Sequence, residues 1–214
     1  MNKYFFSFAI LLLLNFCNNS DPGDVIKLPE PKKEGGMPLF EAVNKRQSLR
    51  NFNNSIQVTP EIISQALWLC YGINRPPKAR TVPSAKGWYN LLVYVFLEEG
   101  VFSYNPVGHE LVKLFNGDHR DVTGTQKSVV NNARINFVFV ANFKKKSAMD
   151  GDDAHKLRSI YLDTGHVTMT LSLFASSMNM KGVCRAMVDT EALLDFLRLS
   201  KEDYIFTLAY SLGY

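Results

Sequence analysis

Cysteine is scarce in this chain, three residues in 214. Cys17, Cys70 and Cys184 form no C-x-x-C pair and no dense spacing, which excludes a disulfide framework and a structural zinc site as organising principles. The four histidines, His109, His119, His155 and His166, are scattered without an H-E-x-x-H or comparable ligand pair, so no metal centre is expected. Charge of one sign is not in excess either: 24 Lys and Arg stand against 20 Asp and Glu, a formal net charge of +4. The basic residues are dispersed apart from Lys144-Lys145-Lys146, which follows an apolar run and reads as a solvated loop. Nucleic-acid binding requires a denser basic stripe interleaved with aromatics, or a recognisable module, and the sequence contains neither. No internal repeat or low-complexity tract occurs.

Hydrophobic residues make up 46% and charged residues 21% of the chain, a globular composition with enough length to bury a core. The long unbroken apolar run is N-terminal. Met1-Asn2-Lys3 gives a short basic start, and Tyr4 to Phe16 is apolar apart from Ser7 and Asn15. That run is too short to span a bilayer as a mature helix and reads as a secretory signal over residues 1–17. Cys17 follows directly, then the polar stretch Asn18 to Gly23. Leu14-Asn15-Phe16-Cys17 resembles a bacterial lipobox, with bulky Phe16 where a small residue is usual. Export to the cell envelope or periplasm is therefore expected, either with a lipid anchor on Cys17, the sole membrane attachment foreseen, or by simple secretion.

Residues 18–37 are rich in Pro, Lys, Glu and Gly and read as a linker or wrapping arm, leaving 38–214 as one domain. Pro38 opens a helix with Leu39, Phe40 and Val43 on one face. Thr59-Pro60-Glu61 opens a second, with the hydroxyl as N-cap and Gly72 as the stop. Leu91 to Leu97, Val101 to Tyr104 and Glu110 to Phe115, separated by turn residues, predict an antiparallel meander. Ile135 to Ala141 predicts another strand and Asp153 to about Met180 a long helix, although its threonines disfavour one. A strand over Gly182 to Val188, a helix capped by Thr190 and running through Leu197, and a strand from Tyr204 to Tyr214 complete an α+β pattern.

The densest chemical signal is Arg46-Gln47-Ser48-Leu49-Arg50-Asn51-Phe52, which packs two permanent cations and a hydroxyl into a turn and a half at the end of the first helix. Two guanidinium forks and an O–H donor suit an oxyanion, with charge-assisted hydrogen bonds contributing about 1.5 to 3 kcal/mol each. A solvated helix end accounts for the same residues equally well. The downstream order decides between the two. Leu67-Trp68 lies in the second helix, followed by Gly72-Ile73-Asn74-Arg75, Arg80-Thr81-Val82-Pro83-Ser84-Ala85, an apolar strand, Asp163-Thr164-Gly165 in the long helix, Gly182-Val183-Cys184-Arg185, and a closing strand ending in Gly213-Tyr214. This succession resembles the flavin-dependent nitroreductase family from about Leu28 to Tyr214. Each motif is short; their shared order makes the resemblance specific.

The resemblance implies a mainly antiparallel sheet flanked by helices, with a long central helix at a homodimer interface. It implies FMN bound there, reduced by NADH or NADPH and passing electrons to a nitro compound, quinone or other small organic acceptor. On the matching positions, Arg46, Gln47 and Ser48 hold the phosphate and Arg50 lies near the pyrimidine edge of the flavin. A fixed cation there stabilises the negative charge that reduction places near N1 and O2. Pro83, Ser84 and Ala85 lie along the isoalloxazine, Val183 and Cys184 supply backbone contacts near its reactive edge, and Arg185 helps with phosphate or ring oxygens. Many relatives follow P-S-A with x-N-x-Q, whereas this chain has Lys86-Gly87-Trp88-Tyr89. Those two amides are missing, Lys86 is the candidate flavin contact in their place, and Trp88 either faces the ring or packs in the core. The chain also stops at Tyr214, where many relatives continue with a proline and a basic residue near the phosphate.

Asp163-Thr164-Gly165 also spells the aspartic-protease triplet, which needs a loop carboxylate beside a like carboxylate. Here the triplet sits in a helical pattern without the β-rich framework, and Asp163 and Gly165 are expected to work structurally, the carboxylate bonding a neighbouring turn and the glycine allowing close helix approach. Hydride transfer needs no protein acid or nucleophile because the cofactor carries the chemistry, so no catalytic residue is assigned. The rival expectation is an exported, lipid-anchored binding or scaffold protein that keeps the fold with a degenerate flavin site.

Overall fold

The computed structural model describes residues 21–143 and 151–214. The signal-like segment, Cys17 and the lysine triplet lie outside the described residues. Seven strands form one sheet in the order β1-β6-β5-β4-β7-β9-β8, with every neighbouring pair antiparallel. They are β1 (Val25–Lys27), β4 (Leu91–Leu97), β5 (Gly100–Asn105), β6 (Glu110–Asn116), β7 (Ile135–Asn142), β8 (Lys181–Arg185) and β9 (Tyr204–Gly213). A separate ribbon pairs β2 (Ile73–Arg75) with β3 (Ala79–Arg80). The longer helices are α1 (Leu39–Lys45), α2 (Pro60–Tyr71), α3 (Asp153–Ser177) and α4 (Thr190–Phe196), with a single further turn at Lys127–Val130.

Central strands β4 and β7 read Leu-Leu-Val-Tyr-Val-Phe-Leu and Ile-Asn-Phe-Val-Phe-Val-Ala-Asn. Such near-continuous apolar runs suit a strand covered on both faces. On one face α2 and α3 bury Ala66, Leu67, Val167 and Leu171 against Val93, Val95, Phe137, Phe139 and Tyr210. On the other, α4 brings Leu193 and Leu194 against Phe96, Val138, Val140, Phe206 and Ala209. The sheet is the middle layer, and the α+β, mainly antiparallel architecture is the one expected.

Local chemistry sets the helix ends. Thr59 caps α2 by accepting from the Ile62 amide at 3.4 Å, with Pro60 at the first helical position. At its far end a Cβ on Gly72 would meet Trp68 Cδ1 at 2.5 Å and Trp68 O at 2.6 Å, so only glycine closes this turn. Asp152 caps α3 by accepting from the His155 amide at 2.8 Å. The hydroxyls that argued against α3 turn back onto it: Ser159, Thr164, Thr168, Thr170 and Ser172 each donate to the carbonyl four residues earlier, so their competing donors are spent inside the helix.

Of the two readings offered for residues 18–37, the described part takes the wrapping arm, since Val25–Lys27 pairs with β6 and Ile26 and Leu28 are buried. Two expectations about elements are corrected. Strand β8 ends at Arg185 rather than Val188, because the Met187 carbonyl accepts from the Thr125 amide and the chain leaves the sheet. Helix α4 is capped by Asp189, whose side chain accepts from the Ala192 amide at 3.1 Å, and Thr190 is already helical.

Candidate functional site

Helix α1 stops at Lys45, and Arg46 already has extended dihedrals. The Arg46 cluster is therefore not a turn and a half of helix but a strap laid along the sheet edge. The Leu49 amide donates to Gly182 O at 3.0 Å, Lys181 Nζ to Asn51 O at 2.6 Å, and the Asn53 amide to Tyr214 O. Bonding to β8 and the end of β9 outcompetes another helical turn. In an extended course residues i, i+2 and i+4 share a side, and Arg46, Ser48 and Arg50 hold those places. Arg46 is half-buried and Gln47, Ser48 and Arg50 are exposed. Among the described residues, none of the three donor side chains makes a hydrogen bond.

Beneath the strap, the ring of Tyr210 is fully buried and its hydroxyl rests directly against Gly182, where any Cβ would collide with it. Among the described residues that hydroxyl makes no hydrogen bond of good geometry, with the Ser172 side chain as a polar neighbour. Burial pushes the Tyr210 pKa up to about 12, against smaller downward pulls from the Ser172 side chain and, last, the Arg46 charge. The residue types alone did not reveal this hydroxyl, because Tyr210 pairs with Cys184 and reaches back along β8 to Gly182, itself opposite Leu212.

The second half of the site is the loop after β3. Ser84 Oγ donates to Asp163 Oδ2 at 2.7 Å, and the Ala85 amide donates to both Asp163 oxygens at 3.0 and 3.1 Å. The Tyr89 amide in turn donates to Ser84 Oγ at 3.0 Å. Asp163, only 5% exposed, thus pins the loop from within α3, as its place in the D-T-G triplet suggested. Lys86 and Tyr89 are held at φ 48° and 46°, conformations that side chains adopt at a cost. Lys86 Nζ lies 6.0 Å from the centre of the Trp88 ring, which meets His155 edge-on at 6.4 Å. Trp88 packs against the main core, the second of its two expected places. Arg80, which the sequence offered inside R-T-V-P-S-A without a role, is clamped between the rings of Tyr71 and Tyr89 at 4.9 and 5.5 Å and closes the stem of the loop.

Strand β8 separates its candidates by alternation. Val183 is buried, while Cys184 faces the α3 side, exposed, with its thiol against the Thr168 hydroxyl. Desolvation by the surrounding protein pushes that thiol above its ordinary value, so it is no thiolate at neutral pH. Arg185 points the opposite way and is only 5% exposed. Its Nε donates to Ser211 Oγ at 2.8 Å, Nη1 to Thr123 O at 2.7 Å, and Nη2 to Asn136 Oδ1 at 3.2 Å. Its donors are committed inside the protein, which corrects the expectation that Arg185 reaches phosphate or ring oxygens.

The two halves lie on different flanks of α3. Asp163 holds the Ser84 loop, whereas Thr168 meets Cys184 and Ser176 Oγ donates to the Ala42 carbonyl of α1 at 2.8 Å. At 3.6 residues per turn, Asp163 and Thr168 are about 140° apart around the helix, and Asp163 and Ser176 about 20 Å apart along it. Between the flanks runs the outer stripe of α3, with Leu162 60% and Met169 45% exposed. Gly165 lies in this stripe, and a Cβ there would meet nothing within 4 Å. Near its end, α1 presents Phe40 at 89% exposure together with Leu39 and Val43.

Residues 43–214 match the model of the Nitroreductase family. The chain belongs to the nitroreductase family. A protein of Methanocaldococcus jannaschii that carries the nitroreductase name is 28% identical over 167 residues, covering 74% of this chain and 82% of that one. A solved nitroreductase-type structure from Ralstonia eutropha is 30% identical, with a TM-score of 0.81 and 88% of each chain covered. A nitroreductase-type structure from Desulfovibrio desulfuricans, solved in complex with FMN, shares the fold at 16% identity and a TM-score of 0.60, covering 84% of this chain and 87% of that one. Family membership makes the protein an oxidoreductase of nitroreductase type, the kind of activity expected from the motif order.

Proposed function

We propose that this nitroreductase binds FMN between two copies of the chain and carries electrons from NADH or NADPH to a small organic acceptor. The observation that carries the reading is the strap at the edge of β8, where two guanidinium groups and a hydroxyl are left without hydrogen bonds beside a buried hydroxyl. That donor set fits a phosphate monoester and its polyol chain. Bound FMN would supply the chemistry, accepting a hydride from the nicotinamide and releasing two electrons to the acceptor. In this reading Arg46 and Ser48 grip the phosphate, with Gln47 between them. Arg50 places a cation against the electron-rich edge of the ring, and Val183 and Cys184 offer backbone beside it. Pro83, Ser84, Ala85 and Lys86 form the opposite wall, already fixed by Asp163 and so requiring little ordering when a ligand arrives.

The position of that wall favours a composite site. Within one protomer the exposed stripe of α3 stands between the Ser84 loop and the strap. A second copy packed across the stripe brings its own loop against the first copy's strap and covers Leu162, Met169 and the apolar side of α1. Exposed apolar faces of this kind are the surfaces that association buries.

The test is direct. The purified protein is expected to be yellow, to show a flavin absorption spectrum, and to bleach when NADH or NADPH is added. A colourless protein that takes up no added FMN defeats the proposal and leaves the binding or scaffold role.

A further inference from the structure

We propose that Arg185 acts on the flavin from behind strand β8, as a buried cation with no carboxylate partner among the described residues, and raises the flavin's reduction potential without touching it. The inference rests on the flavin reading above and goes beyond it, since that reading gives Arg185 no contact with the cofactor.

Arg185 differs from Arg120 and Arg134, the two other arginines buried as whole residues, and resembles Arg80, whose Nε and Nη1 are buried without a partner among the described residues. Arg120 is paired with Asp118 at 2.7 Å and Glu98 at 4.0 Å, and Arg134 with Glu98 at 3.1 Å. All four hydrogen bonds of Arg185 end on neutral acceptors: Ser211 Oγ, Thr123 O, Thr123 Oγ1 and Asn136 Oδ1. Among the described residues no carboxylate lies within ion-pair distance of it. A buried cation is costly unless an opposite charge neutralises it, and neutral hydrogen bonds hold the guanidinium without cancelling its charge. Burial lowers its pKa only to about 10, so the group is a full cation at neutral pH. In a low-dielectric surround that charge is felt at longer range than on the surface, and salt screens it less.

The strand sets what it acts on. Cys184, one residue earlier, opens to the α3 side, and the strap runs beside β8 through the Leu49 amide on Gly182 O. The Arg185 side chain therefore leaves β8 on the face opposite to Cys184, toward Thr123, Asn136 and Ser211. A hydride brings two electrons and one proton, so a flavin that takes it up gains one negative charge. A fixed cation near that charge favours the reduced form. Arg50 acts from the solvent side in the same sense, but its exposed charge is weakened by salt.

The experiment measures the midpoint potential of protein-bound FMN by dye equilibration, in low salt and in 1 M salt. Arg185→Met, which keeps the bulk and loses the charge, is expected to lower the reduced-to-oxidised ratio at a fixed potential about tenfold, or about 30 mV for a two-electron couple. Arg185→Lys is expected to stay near the unmodified value. Ser211→Asp leaves the arginine in place and sets a carboxylate against Nε; it is expected to shift the potential in the same direction as Arg185→Met, and both shifts persist in 1 M salt. Equal potentials in Arg185→Met and Arg185→Lys overturn the inference, as does an unshifted Ser211→Asp. If Arg185→Met does not fold, Ser211→Asp decides alone. Loss of fold in both assigns Arg185 to structure only and also overturns it. Failure of the unmodified protein to take up FMN removes the flavin reading itself, an outcome distinct from all of these.

Discussion

Two donors make three hydrogen bonds to Asp163: the Ser84 hydroxyl bonds one oxygen and the Ala85 amide both. With Ala at this position a part-buried hydroxyl and a part-buried amide lose their acceptor; with Asn one of the two accepting oxygens is lost, and a loss of this kind costs about 1 to 3 kcal/mol. The loop through Lys86 and Tyr89 would also lose the anchor that holds its two left-handed residues. Asp163→Ala is therefore expected to melt several degrees lower and to bind FMN more weakly. Asp163→Asn is expected to resemble it, because an amide can accept on one side only. Thermal denaturation and flavin titration check both, and unchanged melting with unchanged FMN affinity would sink the role given to Asp163. At this scale the sequence was legible for the D-T-G carboxylate, expected to bond a neighbouring turn, whereas the Ser84 hydroxyl, read only as lying along the flavin ring, is the donor that meets it. Arg185 was not legible, because the face of a strand residue depends on register, and one position along β8 separates the α3 side from the far side of the sheet.

Among the elements, the N-terminal arm carries a titratable clasp. The His109 ring lies 2.7 Å from Ser64 Oγ through Nε2 and 2.8 Å from the Tyr104 hydroxyl through Nδ1. Ser64 Oγ donates to the Pro29 carbonyl at 2.5 Å, and the Leu28 amide to the His109 carbonyl at 3.1 Å. A neutral ring protonated on Nε2 satisfies all of these groups, because Tyr104 can then donate to Nδ1. Desolvation lowers the His109 pKa, more than the Pro29 carbonyl and Glu30 raise it, and Lys27 lowers it further. The folded state therefore resists a proton that the unfolded chain takes up near pH 6.5. The stability linked to His109 is fully present above that value and is lost as pH falls below it toward the folded pKa. Between pH 7.5 and 5.5 the unmodified protein is expected to lose denaturation midpoint, and His109→Gln to lose less. Parallel losses in the two proteins would show that the clasp does not titrate.

The same arm shows why elements differ in legibility. Helices α2 and α3 announce themselves through Thr59-Pro60 and Asp152, whose capping bonds are local. Strand β1 hides in a Pro- and Lys-rich stretch because only three residues pair, and their partner, β6, is more than eighty residues away. The Arg46 strap hides for a related reason. Its amides are taken up by Gly182 and Tyr214, partners brought near only by the finished sheet. Residue types and order proposed the donors, and tertiary hydrogen bonding chose an extended course over a helical one.

For the whole molecule, the spacing along α3 turns the proposed dimer into a question of complementation. If each flavin lies between the strap of one copy and the Ser84 loop of the other, Arg46→Ala damages one wall and Asp163→Ala the opposite wall. Loss of one charge-assisted grip at Arg46 corresponds to a ten- to hundredfold loss of affinity, from about 1.5 to 3 kcal/mol. Each variant alone then has two damaged sites per dimer. Dissociated and reassociated together, the two form mixed dimers in which the intact strap of the Asp163→Ala copy faces the intact loop of the Arg46→Ala copy. One site of near-native affinity is thereby regained, while the other carries both lesions. Flavin titration of an equimolar mixture is expected to show tight binding at about a quarter of all sites, since half of randomly formed dimers are mixed and each has one restored site of two. No tight binding after verified exchange of subunits would mean that strap and loop belong to the same copy, against the arrangement inferred from the two flanks of α3.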